Sequence, residues 1–359
     1  MSAPALQAPG AVGTAGGAAG HGLLRYLAVR LLLIVPTVLV LVSVVFFLMH
    51  ATGDPISTAF GDRLTPRQLH AKLHQAGYDR PLLTQYLDYL RALAHGDLGR
   101  TATDDQPVRD MLRTNGAATA ELAAYAMAVA LVVGVPLGMV AAAYRDRAAD
   151  AGLRLLAILS YATPVFFLGL LLKLVFAVWL GWLPTSGRAG IDVQLELQNQ
   201  TSTTGIYLVD AVRSGDRSAV ADVLRHAVLP GLALGLLVAG VLLRLVRTNL
   251  IGTLSAEYVE AARSRGVGSF RLITRHATRP ALIPVVTVLG LQVAGLLGGA
   301  VLTETTFEWK GLGFQLAHYL TVRDYAAVQG IVTVFAVVVA LTNFLVDAVA
   351  ALIDPRVRY

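Results

Sequence analysis

The segment YLAVRLLLIVPTVLVLVSVVFFLM, residues 26–49, carries a single charge, Arg30, in 24 positions. Crossing a hydrocarbon core of about 30 Å takes about 20 apolar residues in a helix, so this stretch is expected to span a bilayer. Lipid offers no partner to an exposed N–H or C=O, which makes the helix the expected form. The stretch has basic flanks in Arg25 and Arg30. It exceeds the apolar core of about 7–15 residues of a cleaved signal peptide and lacks a convincing small-residue cleavage site, so it reads as a permanent anchor. Five further segments, 116–144, 152–180, 224–245, 282–302 and 326–353, are apolar over a comparable length. The expected fold class is an all-α integral membrane protein with six transmembrane helices.

Composition agrees with that class. Of 359 residues, 55% are hydrophobic and 14% charged, with a mean hydropathy of +0.63, against about 25% charged in a soluble domain. The 34 glycines and 14 prolines punctuate apolar runs and follow no collagen-like period. With no cysteine, disulfides, thiolate metal sites, iron–sulfur clusters and a cysteine nucleophile are excluded. Basic residues favour the cytoplasmic side of short loops. With both termini inside, fourteen arginines, from Arg25 and Arg30 to Arg356 and Arg358, lie inward. Six basic residues (Arg188, Arg213, Arg217, Arg225, Lys310 and Arg323) lie outward. This asymmetry predicts an N-in, C-in topology and accounts for the net charge of +6 without a nucleic-acid partner.

Residues 1–20, rich in Ala, Gly and Pro, are expected to form a mobile tail, and residues 21–359 the six-span domain. The loop 51–115 carries eight basic and eight acidic residues and reads as a folded external cap. Thr65-Pro66 marks a helix start and Gly77 a stop. From Pro81, the spacing of Leu83, Tyr86, Leu87, Leu90 and Leu93 predicts a second helix up to Gly96. His70 and His74 would share a helix face, but no third ligand accompanies them, so no metal site is assigned. The loop 181–223 reads as an exposed, polar insertion. Between spans four and five, residues 254–280 read as two short amphipathic helices. Ser255 would cap the first, Gly266 would end it, and the second would run from Ser269 toward Pro280.

The same segment carries a resemblance. Glu260-Ala-Ala followed by Gly266 is similar to the EAA motif of binding-protein-dependent ABC importer permeases. The B-type subunits of the dipeptide, oligopeptide and nickel branch are resembled by an ordered series. It runs through Gly53-Asp54-Pro55, Gly96-Asp-Leu-Gly99, Thr119-Ala-Glu-Leu122, Pro184-Thr-Ser-Gly187 and Ala281-Leu-Ile-Pro284. It continues in Glu304-Thr-Thr-Phe-Glu-Trp-Lys-Gly-Leu-Gly313, Arg323-Asp-Tyr325 and Asp354-Pro-Arg-Val-Arg358. The chain departs from the family pattern at Thr278, Arg279 and Lys310, and in a longer loop around 192–216.

The resemblance implies a type I ABC importer permease fold in the bacterial inner membrane. The coupling segment would dock on an ATPase through Glu257, Glu260, Ala261, Ala262, Arg263, Arg265 and Gly266. It also implies a homologous second permease subunit, two P-loop ATPase subunits and an extracytoplasmic peptide-binding protein. The chain has no Gly-Lys dipeptide and hence no P-loop, so it needs no cofactor of its own, and ATP and Mg belong to the partners. Lys173, the one charge deep inside an apolar span, is expected along the translocation path, with Gln292 and Glu304. The pairs Gly134/Gly138, Gly231/Gly235 and Gly295/Gly299 would let helices approach closely. Pro136 and Pro164 would kink their spans, and Asp347 would meet water or a loop arginine. Nickel or another small solute is the alternative cargo. An ion-coupled carrier would need buried acids or histidines, and an intramembrane enzyme a nucleophile–base pair or metal ligands; the sequence displays neither set.

Overall fold

A computed structural model describes residues 18–51, 65–200 and 203–353. The expected tail lies outside these residues except for 18–20, which already belong to the first helix; Gly53-Asp54-Pro55 and Asp354 to Arg358 also lie outside them. Among the described residues the fold is helical, with one isolated bridge between Arg100 and Pro107.

The helices are α1 (Ala18–Ala51), α2 (Pro66–Ala76), α3 (Leu82–Ala94), α4 (Val108–Val129), α5 (Val135–Ala143), α6 (Ala148–Ala162), α7 (Val165–Leu172), α8 (Ile191–Gln198), α9 (Tyr207–Ser214), α10 (Arg217–Leu254), α11 (Glu257–Ser264), α12 (Ser269–Arg271), α13 (Thr278–Phe307), α14 (Leu312–Thr321) and α15 (Tyr325–Ile353). A π-helical turn, Ala130–Gly134, joins α4 to α5, with Pro136 in the first turn of α5. Two more follow α7 (Lys173–Trp179) and precede α13 (Leu272–Ala277).

Among the described residues, five helices or joined helices are long and apolar enough to cross a membrane: Arg25–Ala51, Val108–Ala143, Arg217–Leu254, Ser269–Phe307 and Tyr325–Val349. The third expected span is not one rod. Its halves, Ala148–Ala162 and Val165–Trp179, meet at 107°. The break follows from Pro164, which forces the preceding residue out of the α region; Thr163 is extended at φ −79°, ψ 128°.

α10 is the hub. Buried residues make up 61% of its most apolar window, against 11–33% in the other four unbroken spans. It packs on α4, α5, α6, α7 and α13. In lipid, helices gain little from apolar burial and associate where small residues let backbones approach. A Cβ on Gly138 would lie 2.8 Å from the Leu243 carbonyl oxygen, and one on Gly235 2.6 Å from that of Ala126. Gly134, Gly231 and Gly299 also face a neighbouring helix. Among the described residues Gly295 meets no other helix within 4 Å, so it does not share a close approach with Gly299.

Charged clamps secure the helix ends. Asp150, fully buried at the start of α6, accepts from Arg247 Nε at 2.5 Å and Nη2 at 2.7 Å and from the Asp146 amide at 3.0 Å. Asp347 pairs with Arg30 of α1 at 3.2 Å, so its arginine comes from another span rather than from a loop. Asp216 caps α10; the Ser218 hydroxyl and amide, each at 2.8 Å, hold its carboxyl below the usual carboxylate range.

The loop 51–115 contains a helical hairpin where described. Thr65 forms a capping box with Gln68, and Gly77 ends α2 at φ +74°. His74 lies 3.7 Å from Asp79. The hairpin is tied to α1 by Tyr86 to Ser43 at 2.6 Å and Gln85 to His50 at 3.2 Å, and to α15 by Tyr89 to Thr333 at 3.3 Å. The loop 181–223, read as exposed, has a core of its own: Ala189, Leu197, Tyr207, Ala211, Ala219 and Val223 bury one another under α8 and α9.

Overpacking a tight contact costs about 1–3 kcal/mol. Gly138→Ala and Gly235→Ala should each lower the thermal midpoint of the detergent-solubilised protein, whereas Gly295→Ala should leave it near wild type. Equal shifts for all three would refute the close-approach reading.

Candidate functional site

The coupling segment begins where α10 ends. Ser255 closes α10, its hydroxyl donating to the Gly252 carbonyl at 2.9 Å, and so it does not cap the next helix as expected. Ala256 takes that place without a side-chain bond, and the acids Glu257 and Glu260 supply the negative charge that a helix N-terminus favours. α11 closes as expected around Gly266, at φ +81°: the Gly266 amide donates to Arg263 and the Val267 amide to Ala262. The second helix is not free. α12 continues through its π-helical turn into α13, past Pro280, and forms the foot of a span.

A small core stiffens this loop. Val259, Ala262 and Leu272 are buried together, with Leu254 and Val267 packed against them. Of the seven residues assigned to docking, Glu257, Glu260, Ala261, Arg263, Arg265 and Gly266 are exposed. Ala262, at 4% exposure, faces inward and supports the surface from beneath. Arg263 stands 3.6 Å from Glu260, and Arg265 Nε donates to the Ala261 carbonyl at 3.0 Å. Two aromatic side chains missed in the sequence join them: Tyr258 is 49% exposed and Phe270 81%. Tyr258 and Ala261, three apart, share a flank of α11 turned away from the buried Val259, and that spacing carried the signal for Tyr258. Among the described residues no three His, Asp or Glu side chains could share a metal ion. Exposed aromatics and charges of both signs on a stiff loop suit protein docking.

The residues expected along the path lie elsewhere. Lys173, half-buried in the turn after α7, donates from Nζ to the Thr306 carbonyl at 3.3 Å, placing a cation at the C-terminal end of α13. Gln292 is half-buried on α13, about 18 Å along the helix from Glu304. Glu304, also expected along the path, is fully buried. Its carboxylate accepts from Thr119 Oγ1 at 2.7 Å and the Phe314 amide at 2.9 Å, while Thr119 Oγ1 accepts from the Leu312 amide at 2.8 Å. Trp309, also fully buried, donates from Nε1 to the Ala118 carbonyl at 2.8 Å. A Cβ on Gly311 would lie 2.4 Å from Glu304 Oε1, so that glycine makes room for the carboxylate. The stretch from Glu304 to Gly313 thus locks α13 and α14 onto α4. A neighbouring pair was also missed: Arg188, in the lobe that holds α8 and α9, reaches Glu121 of α4 at 2.5 Å, both buried.

The family profile described as binding-protein-dependent transport system inner membrane component matches residues 134–359, and the N-terminal profile of the same kind matches 23–108. The chain belongs to this family of transport-system inner membrane components. It is similar to the di/tripeptide transport system permease protein DppB of Pseudomonas aeruginosa, at 39% identity over 94% of this chain and 99% of that protein. The dipeptide transport system permease proteins DppB of Alkalihalophilus pseudofirmus and Escherichia coli (strain K12) are 35% and 37% identical. These matches cover 94% of this chain and 100% and 99% of those proteins. The N-terminal profile covers α1 and the α2–α3 hairpin; the main profile runs from the α4–α5 turn through the α11 loop to the last helix.

In this inner membrane component, Thr119→Val should leave the buried Glu304 carboxylate and the Leu312 amide short of a partner. Each buried polar group left unpaired costs about 1–3 kcal/mol. The variant should unfold at lower temperature in detergent, while Thr119→Ser should stay near wild type; equal stability of the valine variant would contradict the clamp.

Proposed function

We propose that this chain is the transmembrane permease subunit of an ATP-driven importer for di- and oligopeptides, forming half of the translocation path. The observation that carries the reading is the stiff, exposed loop around α11, with Glu260 and Gly266 at its surface, in a chain aligned nearly end to end with dipeptide permeases. Two P-loop ATPase subunits supply the energy, a second homologous permease completes the path, and an extracytoplasmic binding protein delivers the peptide. Both termini and the coupling loop lie in the cytoplasm. The contact to the ATPase is made by Glu257, Glu260, Ala261, Arg263, Arg265 and Gly266, with Tyr258 and Phe270 as its apolar anchors. ATP binding biases the permease between inward- and outward-facing states, which requires the ATPase to bind one state more tightly. Lys173 and Gln292 line the path, whereas Glu304 holds its outer wall together.

Uptake of a labelled dipeptide tests the docking assignment. Gly266 has no neighbour within 4 Å of a Cβ, so a side chain there projects outward, but its positive φ disfavours β-branched residues. Gly266→Val should abolish uptake with the protein still in the membrane, and Gly266→Asn, which tolerates that conformation, should retain much of it. Phe270→Ala should reduce ATPase recovered with the permease. Unchanged uptake and recovery would remove the assignment.

The absence of cysteine allows a clean test of orientation. Ser264→Cys should react with an impermeant maleimide only in inside-out vesicles, and Arg213→Cys, on α9, only in right-side-out ones. The opposite pattern would invert the topology.

A further inference from the structure

Beneath the lobe formed by α8 and α9 lies a cavity of about 280 Å³, lined by Arg188, Gln194, Gln198, Asn115, Glu308 and Lys310 among others. Three charged side chains line it, and none is fully satisfied among the described residues. Arg188 is 8% exposed. Its Nη2 donates to Glu121 Oε2 at 2.5 Å and the Gly205 carbonyl at 2.7 Å, and Tyr207 covers its guanidinium at 3.7 Å. Its Nε is buried with no hydrogen-bond partner. That nitrogen is closed off from the cavity, so the part of Arg188 that lines the cavity wall is what an anion there would meet.

Glu308 and Lys310 form no ion pair among the described residues and are exposed on either side of the buried, hydrogen-bonded Trp309. Trp309 therefore fixes where both side chains emerge. Glu308 also adopts φ +52° just after the end of α13, where glycine is the usual occupant. Backbone strain of this kind is retained where the side chain has a task. An acidic group from a docking protein would need the cations alone. The carboxylate of Glu308 on the same wall gives the cavity both signs of charge. Its volume falls just short of the roughly 300–1,000 Å³ of sites for drug-sized ligands, which limits the occupant to a very short peptide.

We propose that this cavity binds a short zwitterionic peptide, its C-terminal carboxylate held by Arg188 and Lys310 and its N-terminal ammonium by Glu308. The assignment rests on the peptide-importer reading and adds to it: the permease itself recognises both peptide termini on its outer side, through a subsite separate from the binding protein.

The test is calorimetric titration of the purified permease–ATPase complex in lipid nanodiscs, without binding protein. The probes are Ala-Ala, Ala-Ala-amide and N-acetyl-Ala-Ala. Ala-Ala should bind saturably, and each blocked peptide about 10-fold more weakly. Lys310→Gln should reduce the discrimination against the amide, Arg188 remaining, and Glu308→Gln should erase that against the acetylated peptide. Membrane abundance and ATPase co-purification verify that both variants fold. Absence of saturable Ala-Ala binding, or discrimination unchanged in both variants, overturns the proposal. Uptake of labelled Ala-Ala in cells with and without the chain separates the two readings. Uptake that depends on the chain, with no direct binding, removes the cavity assignment alone. Uptake that does not depend on it removes the importer reading.

Discussion

The close approach of α10 to its neighbours is the contact on which the structure depends. Gly134 and Gly138 on one side and Gly235 on the other bring backbone oxygens within reach of an opposing helix, a distance that no larger residue permits. Lipid tails compete on equal terms with leucine side chains, so a helix cannot be held centrally by apolar surface alone. Small residues give α10 dispersion contacts along its length, and Asp150 with Arg247 pins one end. The other end is fixed separately, by the bonds of Glu304 and Trp309 to Thr119 and Ala118 of α4. Peripheral α1, with 11% of its window buried, is free to meet lipid along most of its length.

The membrane class and span positions were legible because an apolar run of about 20 residues matches the thickness of a bilayer and exceeds what an ordinary core helix needs. Thr65 and Gly77 were legible for a local reason: the cap and the stop are set by residues three or four positions away. Glu304 was not. An acid near the end of an apolar run looks like a boundary, and what buries it, Thr119 and the amide of Phe314, includes a residue 185 positions distant. Arg188 was counted as a loop charge for the same reason, since its partner Glu121 lies on another helix. Ser255 had the right residue type for a cap, but α10 runs on to Leu254 and takes the serine for its own end. Pro164 announced a bend, yet nothing local to a proline sets an angle of 107°.

The coupling segment was legible in place and incomplete in detail. Its motif residues divide between surface and support, with Ala262 and Val259 beneath and Glu260 and Ala261 above. Exposed Phe270 stands on α12, whose assignment as a separate helix hid its continuity with a span. The small core around Leu272 joins the loop to that span, so the exposed face of α11 and the membrane helix form one mechanical unit.

That continuity sets a leverage. From Ser269 to Phe307 the chain forms 39 residues of joined helix, a rod of about 58 Å at 1.5 Å per residue. Pivoted at its foot as one piece, a tilt of about 10° carries the far end through roughly 10 Å, about one helix diameter. A modest rotation of the foot is thus geared up to the scale on which one helix vacates the position of another.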